Sequence, residues 1–264
     1  MGTLVLFHAH PDDEVITTGG TAARAAAEGH RVVLVVATGG EYGESPDDLA
    51  GGERLVDRRR VETERSVAAL GIHELVWLGY EDSGMTGWEQ NGNAGSFLQA
   101  PLDEAAERLA VILRRERADV VTVYDWHGGY GHPDHIRVHH VGRRAAELAG
   151  IERVYEATMN RDDIARFMEM ARAAGAPADD MFDPNGPMDD GNPMGTPEAE
   201  ITTRVDVSAH VMAKRTSIRC HASQVTDTGF FSQMPDEQFA TAFGTEWFIR
   251  VGAPAGMSED WLFG

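Results

Sequence analysis

Cysteine is nearly absent: Cys220 is the one thiol in 264 residues. No internal disulfide can form, which suits a reducing compartment, and a Cys-rich structural zinc site is excluded. Lysine is as scarce, since Lys214 is the one lysine among 23 basic residues. The basic residues face 43 carboxylates, for a net charge of −20 and a pI of about 4.8. Such a surface repels a phosphate backbone and an anionic bilayer, so neither nucleic acid nor membrane is an expected partner. No run approaches the roughly 20 apolar residues that span a bilayer. The first residues lack a basic n-region, and the apolar stretch at 4–7 is too short for a signal h-region. Leu6 stands where a myristoylation signal needs Ser or Thr. A soluble cytoplasmic protein is expected, with association into homo-oligomers left open.

The composition, 42% apolar and 25% charged, is that of a globular chain. Short apolar runs at 4–7, 32–37, 75–78 and 120–124 read as buried strands. Helical patterns lie between them, over 15–28, 53–70 and 102–116, and a fourth follows His135 to 149. Gly29 and Gly71 supply stops. This alternation predicts an α/β, Rossmann-like fold: a mostly parallel sheet with helices on both faces and an active site at the strand carboxyl ends. Later elements are expected at 153–157, 162–174, 201–207, 209–219 and 246–251. One domain over 1–264 is expected, with a core at 1–160 and a substrate-side portion at 201–264. Residues 176–200 hold five prolines, seven carboxylates and no basic residue. They read as a surface loop and a candidate lid.

Two motifs carry the chemistry. His8-Ala9-His10-Pro11-Asp12-Asp13-Glu14 follows the first strand, and Tyr130-Gly131-His132-Pro133-Asp134-His135 follows the 120–124 strand. Imidazole with carboxylate suits a divalent metal such as zinc. His10 and Asp13 are three apart and can converge within one helical turn. Asp12 then projects elsewhere, free to act as a base. His132, His135 or His139 can supply the third ligand, which makes a catalytic rather than a structural site. His8-x-His10 also fits the first strand of a metal-dependent (β/α)₈ barrel. Five or six strand–helix units fall short of eight, so His8 is expected to be a buried neighbour. There is no P-loop, dinucleotide fingerprint or G-x-S-x-G elbow, and Cys220 reads as packing.

Together the motifs resemble the PIG-L/LmbE family of metal-dependent N-deacetylases. The resemblance runs through Arg58-Arg59-Arg60-Val61-Glu62, Leu70-Gly71, the 77–85 and 124–132 segments, and His221-Ala222-Ser223-Gln224. Within the family it points to the actinobacterial mycothiol-pathway branch, which includes the GlcNAc-inositol deacetylase and the mycothiol conjugate amidase. The resemblance implies zinc, or Fe²⁺ in vivo, held by His10, Asp13 and His135. It implies Asp12 as general base, Tyr130 and His132 near the substrate carbonyl, and Asp134 as an orienting carboxylate. Arg59 and Asp82 take positions that look like sugar or inositol contacts. His127 departs from the small polar residue common at its position, and an added imidazole there is expected to alter substrate contact or proton handling. The Trp88–Phe97 insertion and the 176–200 segment have no family counterpart and are expected to shape the pocket.

The implied activity is deacetylation of an N-acetylglucosamine-type small molecule or its conjugate by metal-activated water. The alternatives are an amidase of a thiol-sugar S-conjugate and a non-catalytic carbohydrate- or metal-binding module. A neutral amino sugar suits the acidic chain better than a phosphorylated one.

Overall fold

In the computed structural model, which describes residues 1–173, 182–225 and 233–264, seven strands form one sheet in the order β3-β2-β1-β4-β5-β7-β6. The strands are β1 (Thr3–His8), β2 (Arg31–Thr38), β3 (Glu74–Tyr80), β4 (Val120–Tyr124), β5 (Arg153–Thr158), β6 (Thr203–Asp206) and β7 (Thr245–Arg250). The first five pair in parallel, while β7 runs antiparallel to both β5 and β6. The sheet is open, so the barrel reading is set aside. Strands β1 and β4 are buried throughout, as is β2 beyond Arg31. That follows from their unbroken Val and Leu runs, which leave no polar face to turn to water.

The helices are α1 (Asp13–Thr17), α2 (Gly19–Ala27), α3 (Leu55–Leu70), α4 (Leu102–Glu116), α5 (Pro133–Ala149), α6 (Arg161–Ala173), α7 (Val211–Cys220) and, after the undescribed 226–232 stretch, α8 (Asp236–Phe243). From β1 the chain steps one way to β2 and β3, then returns to the other side of β1 for β4 and β5. Right-handed crossovers then place α2 and α3 on one face of the sheet and α4 and α5 on the other. The order reverses between β1 and β4. The loops after those two strands therefore open into the same crevice, where ligands bind in sheets of this kind.

Two elements depart from the expected pattern. The helix expected over 15–28 is broken at Thr18 into α1 and α2. The N-terminus of α2 is capped from β7, 225 residues away: Glu246 accepts hydrogen bonds from Gly20 N at 2.8 Å and Thr21 N at 2.7 Å. The chain's one lysine completes this joint, its Nζ lying 2.8 Å from both Glu246 Oε1 and the Ile16 carbonyl. Both side chains are almost wholly excluded from water. The helix Asp236–Phe243 was also not marked in the sequence.

Losing one member of a buried pair strands the other's charge, at about 3–5 kcal/mol. Lys214→Met is therefore expected to lower unfolding stability by about that amount, read as a shift in the urea midpoint. An unchanged midpoint would remove this joint from the account.

Candidate functional site: a His/Asp cluster at the β1–β4 crevice

His10 enters the crevice from the turn after β1, and Asp13 from the first residue of α1. The Asp13 carboxylate joins the two loops. Its Oδ2 accepts the His10 backbone N–H at 2.8 Å and lies 3.3 Å from His10 Nδ1, while its Oδ1 lies 3.3 Å from His135 Nε2. His135 sits in the first turn of α5. Its Nδ1 pairs with the Gly128 carbonyl at 3.1 Å, which puts the ring proton on Nδ1. Nε2 is left as a bare lone pair, buried and without a hydrogen bond. Gly128 makes this contact possible. Its φ is +68°, and a Cβ there would lie 2.3 Å from His135 Cβ.

His10 is steered in the same manner. Its Nε2 pairs with Asp134 Oδ2 at 3.3 Å, and Asp134 is held in turn by the Ser83 amide and hydroxyl. Nδ1 is thereby turned toward Asp13 and left available. Two imidazole nitrogens and a carboxylate oxygen, the rings each oriented by a partner behind them, are of the donor types that could hold a divalent ion. The charges agree. Burial disfavours a charged His10, yet Asp82, Asp13 and Asp134 together hold its pKa well above the usual range. Among the described residues, two sets of ligand atoms lie within 4.8 Å of one another, His10 with His132 and His135, and His10 with Asp82 and Asp134, neither of which includes Asp13. In the second set, His10 Nε2 is already engaged by Asp134.

Asp12 stands apart from these bonds. Its φ of +83° is in the left-handed region, one of two such non-glycine residues among those described. The position usually takes extended backbone and uses its side chain as a cap, and Asp12 does neither. The conformation costs on the order of 1–3 kcal/mol, a strain characteristic of functional sites. It is held by Arg59, whose guanidinium donates to Gly40 O at 2.7 Å, Pro11 O at 2.6 Å and Asp12 Oδ2 at 3.1 Å. Arg59 thus props the motif from beneath as well as bordering the crevice, a role that its spacing alone did not reveal. Burial lifts the Asp12 carboxyl to about 6 against the pull of Arg59, with Asp13 adding to the rise.

His132 is the N-cap of α5, and its Nδ1 accepts the Asp134 N–H at 3.1 Å. Burial, then the charges of His10 and His135, press its pKa down to about 3. The ring is neutral, with its proton on Nε2. Tyr130 keeps its proton too, since burial and the nearby Asp13 raise its pKa. Asp82 is buried, and Oδ1 accepts Gly84 N at 2.8 Å. Burial pushes its carboxyl up, but His10 pulls it well below the usual range.

Two hollows meet at Asp13 and Tyr130. The first, of about 200 Å³, is polar and bordered by Asp12, His132, Arg59 and Asp82. It also takes Tyr42, Trp88 and Gln224, none of which was singled out as a site residue. Trp88 opens the expected insertion, which does shape the pocket. The second, of about 240 Å³, reaches past His135 between α1 and the end of β5.

Other candidates lie elsewhere. His8 is buried in β1, with Nδ1 2.6 Å from the Tyr124 hydroxyl and Nε2 2.8 Å from Thr18 Oγ1, the neighbour role expected of it. His139 pairs with the Tyr124 carbonyl at 3.0 Å, outside the cluster. The Cys220 thiol donates to the Thr216 carbonyl within its own helix, and burial raises its pKa. His127 borders neither hollow. Its Nε2 pairs with Gly195 O at 3.2 Å, and its Nδ1 lies 3.4 Å from Asp190 Oδ2. The imidazole expected near substrate instead ties down the 182–200 segment. That segment is also bonded through Gly195 N to Gly129 O at 2.7 Å and Asp189 N to Tyr130 O at 3.2 Å. The remainder of the acidic loop, 176–181, lies outside the described residues.

The profile of the PIG-L family, described as GlcNAc-PI de-N-acetylase, matches residues 5–146, which contain both motifs. Among curated proteins, the 1D-myo-inositol 2-acetamido-2-deoxy-alpha-D-glucopyranoside deacetylase of Thermobifida fusca is 41% identical over 273 residues, covering 95% of this chain and 93% of that protein. The protein of the same name from a Nocardioides species is 37% identical over 292 residues, covering 98% and 95%. Among solved structures, the N,N'-diacetylchitobiose deacetylase of Pyrococcus horikoshii has a TM-score of 0.61 at 23% identity, covering 95% of this chain and 84% of that one. GalB, a 4-carboxy-2-hydroxymuconate hydratase of Pseudomonas putida, has a TM-score of 0.58 at 16% identity, covering 98% and 99%. These two likenesses show the fold alone, which serves more than one chemistry.

Replacing His135 with Ala removes the bare Nε2. The wild-type chain is expected to retain a divalent ion through dialysis and the variant to lose it, as measured by elemental analysis. Undiminished metal content would refute His135 as a ligand.

Proposed function

The chain belongs to the PIG-L family of de-N-acetylases, and from that premise we propose that it is a zinc-dependent hydrolase that removes acetyl from an N-acetylglucosamine-type small molecule or its conjugate. The observation that carries the reading is the division of labour within one motif: Asp13 faces two oriented histidines, while the neighbouring Asp12 is held away from them at the mouth of the polar hollow. His10 through Nδ1, Asp13 and His135 through Nε2 would hold the ion, with Fe²⁺ as the alternative to zinc. A divalent cation there supplies a Lewis acid for the amide carbonyl and lowers the pKa of water.

The protein's residues do the rest. Asp12, ionised, takes a proton from water as its oxygen adds to the carbonyl carbon. The Tyr130 hydroxyl and the His132 Nε2–H are the donors for the oxygen that becomes negative. The C–N bond then breaks, and Asp12 returns its proton to the leaving amine, giving acetate and a free amino sugar. The neutral His132 ring favours this route over one in which an imidazolium supplies the proton. Asp134 takes no part in proton transfer and keeps His10 in place through its bond to Nε2.

The polar hollow is suited to an uncharged polyol. It offers one arginine, already bonded to Asp12, against Asp12, Asp13 and Asp82. Its partly exposed Trp88 provides a face for the apolar side of a sugar ring. Asp82 and the Gln224 side-chain carbonyl provide acceptors for hydroxyls, while the Gln224 amide nitrogen already donates to the Glu44 carbonyl and Ser223 Oγ. A phosphorylated sugar would meet net repulsion. A mere binding module has no use for a strained, uncoordinated carboxylate at Asp12. Cleavage of a thiol-sugar conjugate keeps the same machinery and changes the acyl arm. Parallel assays on N-acetylglucosaminyl-inositol and a bimane conjugate separate the two.

Asp12→Ala is expected to lower kcat/KM by at least about 10²-fold, the usual worth of general acid–base help, while metal content is retained. Activity near wild type would refute the base assignment. A base must be ionised to work, so activity falls as pH drops through its pKa. A cation bound beside Asp13 lowers the Asp12 value from about 6. The acid limb of kcat/KM is therefore expected at or below about pH 6 and absent from any residual Asp12→Ala profile. An acid limb that persists unchanged in the variant would belong to another group.

A further inference from the structure

The second hollow has no task in the chemistry above. We propose that it is an acyl pocket that admits unbranched N-acyl chains longer than acetyl, up to about six carbons. This rests on the hydrolase reading and extends it to the acyl side of the scissile bond.

Position comes first. The two hollows share Asp13 and Tyr130, and the second also takes in His135. A carbonyl at this junction has the amine side of its amide in the polar hollow. The acyl carbon on its other side then points into the second.

The wall is chemically distinct. It is built from Ile16 of α1, Ala157 at the end of β5, and Met159 and Met194 beyond it. Apart from the Tyr130 hydroxyl at the junction, the hydroxyls along it are already engaged. Thr17 Oγ1 donates to Asp13 O at 3.2 Å, Thr158 Oγ1 donates to Asp125 Oδ2 at 2.6 Å, and the Tyr124 hydroxyl lies 2.6 Å from His8 Nδ1. A polar arm would lose its water and find few partners there, whereas methylenes lose nothing.

Size completes the case. An apolar cavity of about 150 Å³ holds benzene, a molecule of six carbons. This hollow measures about 240 Å³, far more than one acetyl methyl fills. Two flexible methionines can close around chains of different length.

The test compares kcat/KM for N-acetyl-, N-butyryl- and N-hexanoylglucosamine on the metal-loaded wild-type chain, read as amine release. Each reaction adds one water and yields the carboxylate and glucosamine. Burial of methylenes in such a wall is worth up to about fourfold each, so the hexanoyl value is expected to equal or exceed the acetyl value. A hexanoyl value below the acetyl value would overturn the proposal. Met194→Trp, and independently Thr17→Leu, should lower the hexanoyl-to-acetyl ratio about tenfold by filling the hollow. If neither folded variant lowers that ratio, the proposal is likewise overturned. Failure to cleave any of the three substrates contradicts the deacetylase reading itself, and this one with it.

Discussion

One carboxylate holds the active end of this protein together. Asp13 reaches from the first turn of α1 to the backbone and ring of His10 and across the crevice to His135, which comes from a motif 122 residues further along the chain. The contact exists because β1 and β4 are neighbours at the point where the sheet order reverses. Each partner is oriented from behind. Gly128 offers its carbonyl to His135 through a backbone that only glycine takes without strain, and Ser83 fixes Asp134, which in turn fixes His10. The arrangement of His10, Asp13 and His135 is a property of three loops, none of which would hold its geometry alone.

The chain's acidity has a local counterpart. Asp13, Asp82 and Asp134 crowd around His10 and hold its pKa well above the usual range. Arg59 is bonded to the motif it supports, and the polar hollow is otherwise lined on its charged side by Asp12, Asp13 and Asp82. The two carboxylates of the first motif are divided by backbone geometry. Asp13 begins a helix and faces inward, whereas Asp12 is forced into a left-handed conformation that points its oxygen toward Arg59 and the polar hollow.

The sheet and its site were legible because their determinants are local. Unbroken apolar runs mark parallel strands, and His-Pro-Asp sequences at strand ends mark the crevice. His10, Asp13, His132 and His135 come together as their spacing led one to expect. What escaped was set by distant partners. The first helix breaks at Thr18 because a cap arrives from Glu246, and no nearby residue signals it. Arg59 borders the polar hollow, but its bonds to the Gly40 and Pro11 carbonyls are set by the fold and not by its spacing in the chain. His127 reads as a site residue until the fold turns it toward Asp190 and Gly195. The apolar hollow is assembled from segments around residues 16, 128, 158 and 194, and no single stretch announces it.

The central claim is that the free nitrogens of His10 and His135 share an ion with Asp13. Anomalous diffraction at the zinc edge, from crystals grown with zinc, tests this most directly. A peak is expected about 2.0–2.2 Å from His10 Nδ1, an Asp13 oxygen and His135 Nε2. A peak among His10 Nε2, Asp82 and Asp134 instead, or no peak in the crevice, would contradict it.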